Sequence, residues 1–177
     1  LSPVLVNHVE RLLVEEGSVV RGREGVALAG HDPLAGLSHS QRSQLDAIEQ
    51  SLRQGGLKPP DPDDLCAEAE TDPSTCHDLV ELLVASGRAA PLMNHALRQL
   101  LLFHVDALGD AGRDLRKAFP FPAQFRTGEA REVLKTTRKY IVPVLEHLDA
   151  QGITVRNGDL RHLAQDAGSG SVGRDDV

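Results

Sequence analysis

The sequence predicts an α+β fold, mostly helical, built of repeated units that each close in a short β-hairpin. Three observations predict it. A helix-forming pattern ending in glycine occurs three times, as VNHVERLLVEEG, CHDLVELLVASG and YIVPVLEHLDAQG. Each is followed by a β-prone run, a break and a second run. The stretches between the three leave room for two further helices apiece.

The repeated helix is read from its spacing. With Gly17, Gly87 and Gly152 aligned, Val9, Leu79 and Val144 stand eight residues before, and Leu13, Leu83 and Leu148 stand four before. A spacing of four puts both on one helix face. A glycine just past a helix permits the left-handed turn that ends it. The runs that follow break at Arg21 to Gly25, at Pro91 to Asn94, and at Asn157-Gly158-Asp159. Asn157-Gly158 is a strong signal for a two-residue hairpin. In the middle unit the second run reads equally well as helix.

The intervening helices follow in order. Gln41 to Gln54 carries Leu45, Ile48 and Leu52 on one stripe and stops before Pro59 to Pro62. Asp61 to Glu70 reads as a short second helix, with Asp61 as its cap and Pro62 in its first turn. Val105 to Ala118 opens the last unit, Pro120 and Pro122 end it, and Ala123 to Leu134 reads as the next short helix. Thr136 or Thr137 can cap the third helix, on which Ile141, Val144, Leu145 and Leu148 face the core. Pro143 falls inside that helix and either kinks it or moves its start later.

Three helices and then a β-hairpin is the winged-helix arrangement, a relative of helix-turn-helix. The glycines lie 70 and 65 residues apart, a normal small-domain length. The expected organisation is residues 1–35 as the third helix and wing of one such domain, 36–104 and 105–165 as two complete ones, and 166–177 as a flexible tail.

The net charge of −7 conceals a division. Residues 1–112 hold 8 Lys/Arg against 17 Asp/Glu, whereas 113–161 hold 10 against 6 and 162–177 hold 1 against 3. The basic stretch includes Arg138 and Lys139 in the first turn of the third helix, where positive charge opposes the helix dipole. Arg126, Arg131 and Lys135 precede them, and Arg156 and Arg161 flank the wing turn. A local rule broken without local benefit points to function. An anion at that tip would meet both side chains and free backbone N–H groups. Cations on a helix start and a hairpin suit a nucleic acid, with phosphate contacts supplying affinity. The competing readings are a DNA-binding transcription regulator and a protein–protein module.

Several classes are excluded as expectations. No G-x-x-x-x-G-K-[ST] is present, and the G-x-G-x-x-G of Gly168 to Gly173 lies in the terminal tail with no helix after it. No H-E-x-x-H and no G-x-S-x-G occurs. Asp61, Asp63, Asp64, Glu68 and Glu70 read as a solvated helix start. Cys66 and Cys76 show no metal spacing, and a reduced compartment is expected. No catalytic residue, no metal and no membrane span is expected in this chain.

Arg126, Thr137-Arg138-Lys139-Tyr140, Pro143-Val144-Leu145-Glu146, Asp149, Gly152, Thr154, Arg156, Gly158-Asp159 and Arg161 resemble the end of the bacterial selenocysteine-specific translation elongation factor. The resemblance runs from Phe125 to Leu163, with a looser fit over Leu1 to Leu115 that includes Gly30-His31 and Leu102-Phe103-His104. In that family the last winged helix binds the messenger-RNA hairpin that recodes UGA. The resemblance therefore implies RNA contacts at Arg126, Thr137, Arg138, Lys139, Arg156 and Arg161, with Lys135 and Gly158 as weaker additions, and core roles for Tyr140, Leu145 and Leu148. Thr137 stands where the family often has serine, and Val155 replaces one of two arginines before the wing turn. The family's amino-terminal half is a GTPase, so GTP and Mg are implied for domains not in this chain. The implied partners are the messenger stem-loop and, through the parent protein, selenocysteinyl-tRNA and the ribosome. A cytoplasmic monomer without membrane contact is implied.

Overall fold

A computed structural model of the chain describes residues 19–21, 26–28, 34 and 36–165. Two compact units are present, Leu1–Leu37 and Ser38–Val177. In the first, β1 (Val19–Arg21) and β2 (Val26–Leu28) pair antiparallel, with Val19 opposite Leu28. This is the expected hairpin around Arg21 to Gly25. The helix expected before it, Gly30-His31 and the tail 166–177 lie outside the described residues.

The second unit starts with α1 (His39–Gly55). Ser38 forms a full capping box: its Oγ accepts from Gln41 N at 3.2 Å, and its own N–H donates to Gln41 Oε1 at 3.0 Å. The stripe of Leu45, Ile48 and Leu52 is buried, as the spacing predicts. α2 (Pro62–Glu68) follows, and α3 (Pro73–Ala85) is capped by Asp72, whose Oδ1 accepts from Ser74 N and Thr75 N. Those bonds to Thr75 and Ser74 hold the Asp72 carboxyl below its ordinary value. Gly87 and Gly152 have φ of 70° and 68°, the left-handed turn expected after each third helix.

Three expectations are corrected here. Asp61 stands at the cap of α2 but makes no capping bond; its Oδ1 accepts from Gln99 Nε2 at 3.3 Å and Lys139 Nζ at 3.5 Å instead. Pro91 does not break the middle hairpin. It lies inside β3 (Ala89–Asn94), opposite Leu102 of β4 (Gln99–His104), and the turn falls at 95–98. A two-stranded ladder has only edges, where proline's missing N–H is tolerated. The second run is thus strand, not helix.

The third correction concerns the last unit. α4 (Val105–Ala118) matches its expected bounds. The next stretch does not begin as helix, because β5 (Gln124–Arg126) precedes α5 (Thr127–Val133). Phe125 is buried between exposed Gln124 and Arg126, a period-two pattern that suits a strand. α6 (Arg138–Ala150), β6 (Thr154–Asn157) and β7 (Leu160–Leu163) complete the unit, with strand order β5-β7-β6. The loop between β6 and β7 is Gly158-Asp159, one residue later than the Asn-Gly signal. Of the two only Gly158 has positive φ, at 61°, the pattern of a type II′ turn.

Pro143 is buried inside α6, which starts at Arg138 in spite of it. A proline there leaves the carbonyl four residues earlier, that of Lys139, without its helical donor. Asn94, at the end of β3 and buried, supplies one: its Nδ2 donates to Lys139 O at 2.7 Å, while its Oδ1 accepts from Leu97 N at 3.1 Å. Leu101 and Phe103 of β4 share one apolar core with Leu108, Leu115, Phe125, Ile141, Val144, Leu145, Leu148 and Leu163. Phe103 meets the Tyr140 ring edge-on at 6.3 Å. Thr136, read as a cap, instead donates its hydroxyl to Leu57 O at 2.8 Å. The hairpin of the middle helices is therefore docked on the third helix of the last.

A polar cluster holds the other side of that hairpin. Glu49 Oε2 accepts from Arg88 Nη1 at 2.9 Å, and Glu49 Oε1 accepts from Arg53 Nη2 at 3.1 Å. His104 caps α4, with Nδ1 accepting from Asp106 N, so its hydrogen is on Nε2, 3.4 Å from Glu49 Oε1. Burial pushes the Glu49 carboxyl up, but the hydrogen bonds from Arg88 and His104 and the charges of Arg88 and Arg53 outweigh it and hold it below its ordinary 4.5.

Two outcomes follow for stability. Asn94→Ala leaves the part-buried Lys139 carbonyl without its donor, and is expected to cost about 1–2 kcal/mol in urea denaturation; the cost shrinks in a Pro143→Ala background, where residue 143 regains its N–H. The folded Glu49 carboxyl is lowered, so its contribution is complete above pH 4.5 and lost as pH falls through the folded value. Acid titration of the denaturation midpoint below pH 4.5 is accordingly shallower in Glu49→Gln than in the unaltered chain.

Candidate nucleic-acid interface

The structure sorts the sequence-predicted residues into exposed, engaged and buried. Thr137 and Arg138 are exposed at the start of α6. Thr137 has extended backbone at the cap position but its hydroxyl makes no capping bond, so it remains open to a ligand. The Arg138 and Lys139 N–H groups have no carboxylate near them in the first turn, which contains no acidic residue. Arg138 makes no side-chain bond among the described residues. An anion is the natural complement of that tip.

Lys139 is corrected in part. It is not a free cation of the helix tip, because its backbone meets Asn94 of the middle hairpin and its ammonium meets Asp61. Its side chain is 29% exposed, its Nζ lies 3.5 Å from Asp61 Oδ1, and it rests 5.2 Å from the Tyr140 ring centre. Lys135 is exposed between α5 and α6 with φ of 48°. It borders a groove of about 360 Å³ whose wall includes Asp106, Asp110 and Asp114 of α4, which offset its charge.

The wing supplies the second group. Arg156 is exposed on β6, and its Nε donates to Gly158 O at 3.0 Å, which lays the guanidinium along the wing tip. Gly158 is exposed and offers backbone only. Arg126 is exposed at the end of β5, opposite Leu160 beside the same turn, and its N–H donates to Glu129 Oε2 at 2.6 Å to open α5.

Arg161 does not belong to this surface. Its side chain is 6% exposed, and it grips Asp149 through Nε and Nη2, both at 2.9 Å from Oδ2, while Nη1 donates to Thr127 Oγ1. Asp149 Oδ1 also accepts from Thr154 Oγ1 at 2.5 Å. The Asp149 carboxylate thus ties the last turn of α6 to both wing strands, and Arg161 extends the tie to the start of α5. Strand alternation explains the miss: Arg161 shares its side of β7 with Leu163, which faces the core.

The exposed cations therefore form two groups. Arg138 marks the first turn of α6, and Arg126 and Arg156 mark the wing, which is anchored at Asp149 near the helix's last turn. Eleven residues of helix separate Arg138 from Asp149, about 17 Å of rise. Two contributors carried no sequence signal as site residues: Asn94, which holds α6 from the β3–β4 hairpin, and β5, hidden inside an expected helix. No three His, Cys, Asp or Glu side chains converge as metal ligands among the described residues. No helix among them is long and apolar enough to cross a membrane.

Arg161→Ala is expected to cost about 3–5 kcal/mol, because it strands the Asp149 carboxylate. Arg138→Ala and Arg156→Ala leave the denaturation midpoint within about 0.5 kcal/mol of the unaltered chain, as exposed positions do. Urea denaturation of the three variants checks both.

Comparison with known proteins extends the geometry. A family described as "Elongation factor SelB, winged helix" matches residues 123–163. A selenocysteine-specific elongation factor of Desulfomicrobium baculatum is 25% identical over 163 residues, 92% of this chain and 25% of that protein. The chain thus spans about a quarter of the length of that curated relative. The mRNA-binding domain of E. coli elongation factor SelB, solved in complex with SECIS RNA, aligns with a TM-score of 0.51 and 22% identity, covering 73% of this chain and all of that one. A bacterial selenocysteine-specific elongation factor aligns with a TM-score of 0.55 and 18% identity, over 89% of this chain and 23% of that one. The family match and the aligned structures together establish the winged-helix fold. By sequence at its end and by fold over most of its length, the chain resembles the C-terminal winged-helix region of the bacterial selenocysteine-specific translation elongation factor.

Proposed function

We propose that this chain is the messenger-binding region of a selenocysteine-specific elongation factor. On this reading residues 1–35 close one winged helix, 36–104 form a second, and 105–165 form the one that holds the recoding stem-loop of selenoprotein mRNA. The rest of such a protein would carry the GTPase part, with GTP and Mg, and would deliver selenocysteinyl-tRNA to the ribosome in the cytoplasm. The chain itself has a holding role and works as a monomer.

One observation carries the reading. The exposed arginines Arg126, Arg138 and Arg156 all belong to the stretch 123–163 that matches the elongation-factor family, within a chain that is otherwise acidic. Docking on the middle hairpin fixes the direction of α6, so the helix tip and the wing meet RNA as one preset surface. Arg161 and, largely, Lys139 serve that geometry. Arg138, Arg156 and Arg126 supply charge, and the Thr137 hydroxyl and the N–H groups at the α6 start supply hydrogen bonds.

The test is titration of the full chain with stem-loop RNA selected from a library of fixed stem and randomised loop, beside duplex DNA of equal charge. Arg138→Ala and Arg156→Ala are each expected to weaken hairpin binding by about tenfold and to lower the slope of log K on log salt by about 1. Equal affinity for duplex DNA, or unchanged hairpin affinity in both variants, contradicts the proposal.

A further inference from the structure

The β5-β7-β6 sheet has two faces, and only one is used by the core. Thr154, Leu163, Arg161 and Phe125 are buried on the inner side. Alternation puts Val155, His162 and Gln124 on the outer side, where register brings them together: His162 stands opposite Val155 on one neighbour and opposite Gln124 on the other. Phe121 lies over this row, its ring 6.1 Å from that of His162 at 72°.

The apolar parts of this face are exposed without a structural reason. Phe121 is 50% exposed and Val155 43%. The other phenylalanines are accounted for: Phe103 and Phe125 are buried, and Phe119 stacks on Phe125 at 4.6 Å. Packing in this unit thus secures every phenylalanine except one. The polar groups around it are also available. His162 Nδ1 lies 3.0 Å from Leu163 O, which places a hydrogen there and leaves the Nε2 edge of the ring to meet a ligand. Gln124 and Asn157 are exposed, and their amides bond nothing among the described residues. Arg126 shares the outer face two residues beyond Gln124.

We infer that this outer face, Phe121 with Val155, His162 and Gln124, is a stacking site for one unpaired nucleotide base of the bound RNA; this rests on the RNA-binding reading above. A flat aromatic ring beside an amide and a ring nitrogen suits a base, which offers a π-face and a hydrogen-bonding edge. Charge complementarity selects this occupant over an apolar peptide, because Arg126 on the same face and Arg156 at the wing tip would hold the nucleotide's phosphates. A base inside a paired stem cannot reach the ring, so the occupant comes from the loop or a bulge.

The chain has no tryptophan, so Phe121→Trp makes a unique reporter at the site. With the selected stem-loop at saturation, the emission of F121W is expected to be quenched, and a blunt RNA duplex of the same stem leaves it unchanged. Phe121→Ala weakens the stem-loop by about tenfold and leaves the duplex affinity and the denaturation midpoint unaltered. Unchanged emission in F121W with the stem-loop bound by anisotropy, together with F121A affinity within about twofold of the parent, overturns the stacking site and leaves the RNA-binding reading intact. Equal quenching by the blunt duplex overturns it as well. Failure of every stem-loop to bind the unaltered chain removes both.

Discussion

One hydrogen bond organises the described structure: the Asn94 amide on the Lys139 carbonyl. Pro143 removes the donor that this carbonyl would have inside α6, a defect that costs roughly 3 kcal/mol in an ordinary helix interior. Here the vacancy becomes an attachment point. The amide that fills it stands at the end of β3, in the hairpin of the preceding helices, and its other end fixes its own turn through Leu97. A helix that is imperfect alone is completed by its neighbour, so α6 is well formed only when the hairpin is docked.

The docking has consequences on both sides. Leu101 and Phe103 leave their own hairpin's solvent face to enter the core of the last three helices. On the opposite side, Glu49, Arg88 and His104 anchor the same hairpin to α1. A two-stranded hairpin is marginal by itself. Held on both faces, it acts as a bracket between two helical triplets. Asp149 performs the matching task at the far end of α6, where Arg161 and Thr154 tie the wing to the last helical turn. The two ends of α6 are thus fixed by different polar contacts, and each end presents a separate group of exposed cations.

Much of this was legible in the sequence, and the remainder was hidden for identifiable reasons. Helical stripes such as Leu45, Ile48 and Leu52 announced themselves through spacing, and Gly87 and Gly152 marked the left-handed turns that close their helices. Strand β5 was missed because three residues are too few for a period to emerge, and its partner β7 lies 34 residues on. Pro91 was misread as a break because sequence does not reveal that its strand is an edge. Arg161 looked like a surface cation because arginine usually is; only the alternation with Leu163 betrays that it points inward. Lys139 looked like a free cation of the helix tip, but it is partly covered by segments some forty to eighty residues earlier, a tertiary fact with no local trace. The site we propose is therefore narrowed to the exposed Arg126, Thr137, Arg138 and Arg156, with Lys135 and the Gly158 turn at its margins. The outer face of the sheet became visible only once β5 was recognised as a strand.

The central claim is that the α6 tip and the wing act together on one RNA, because contacts at both ends of the helix hold them in fixed relation. Amide hydrogen exchange of the full chain, with and without bound stem-loop RNA, tests it most directly. The account predicts added protection at 137–140 and at 156–160 at the same RNA concentration, with the hairpin 89–104 unchanged. Protection confined to one of those two segments, or found chiefly on the middle hairpin, would contradict it.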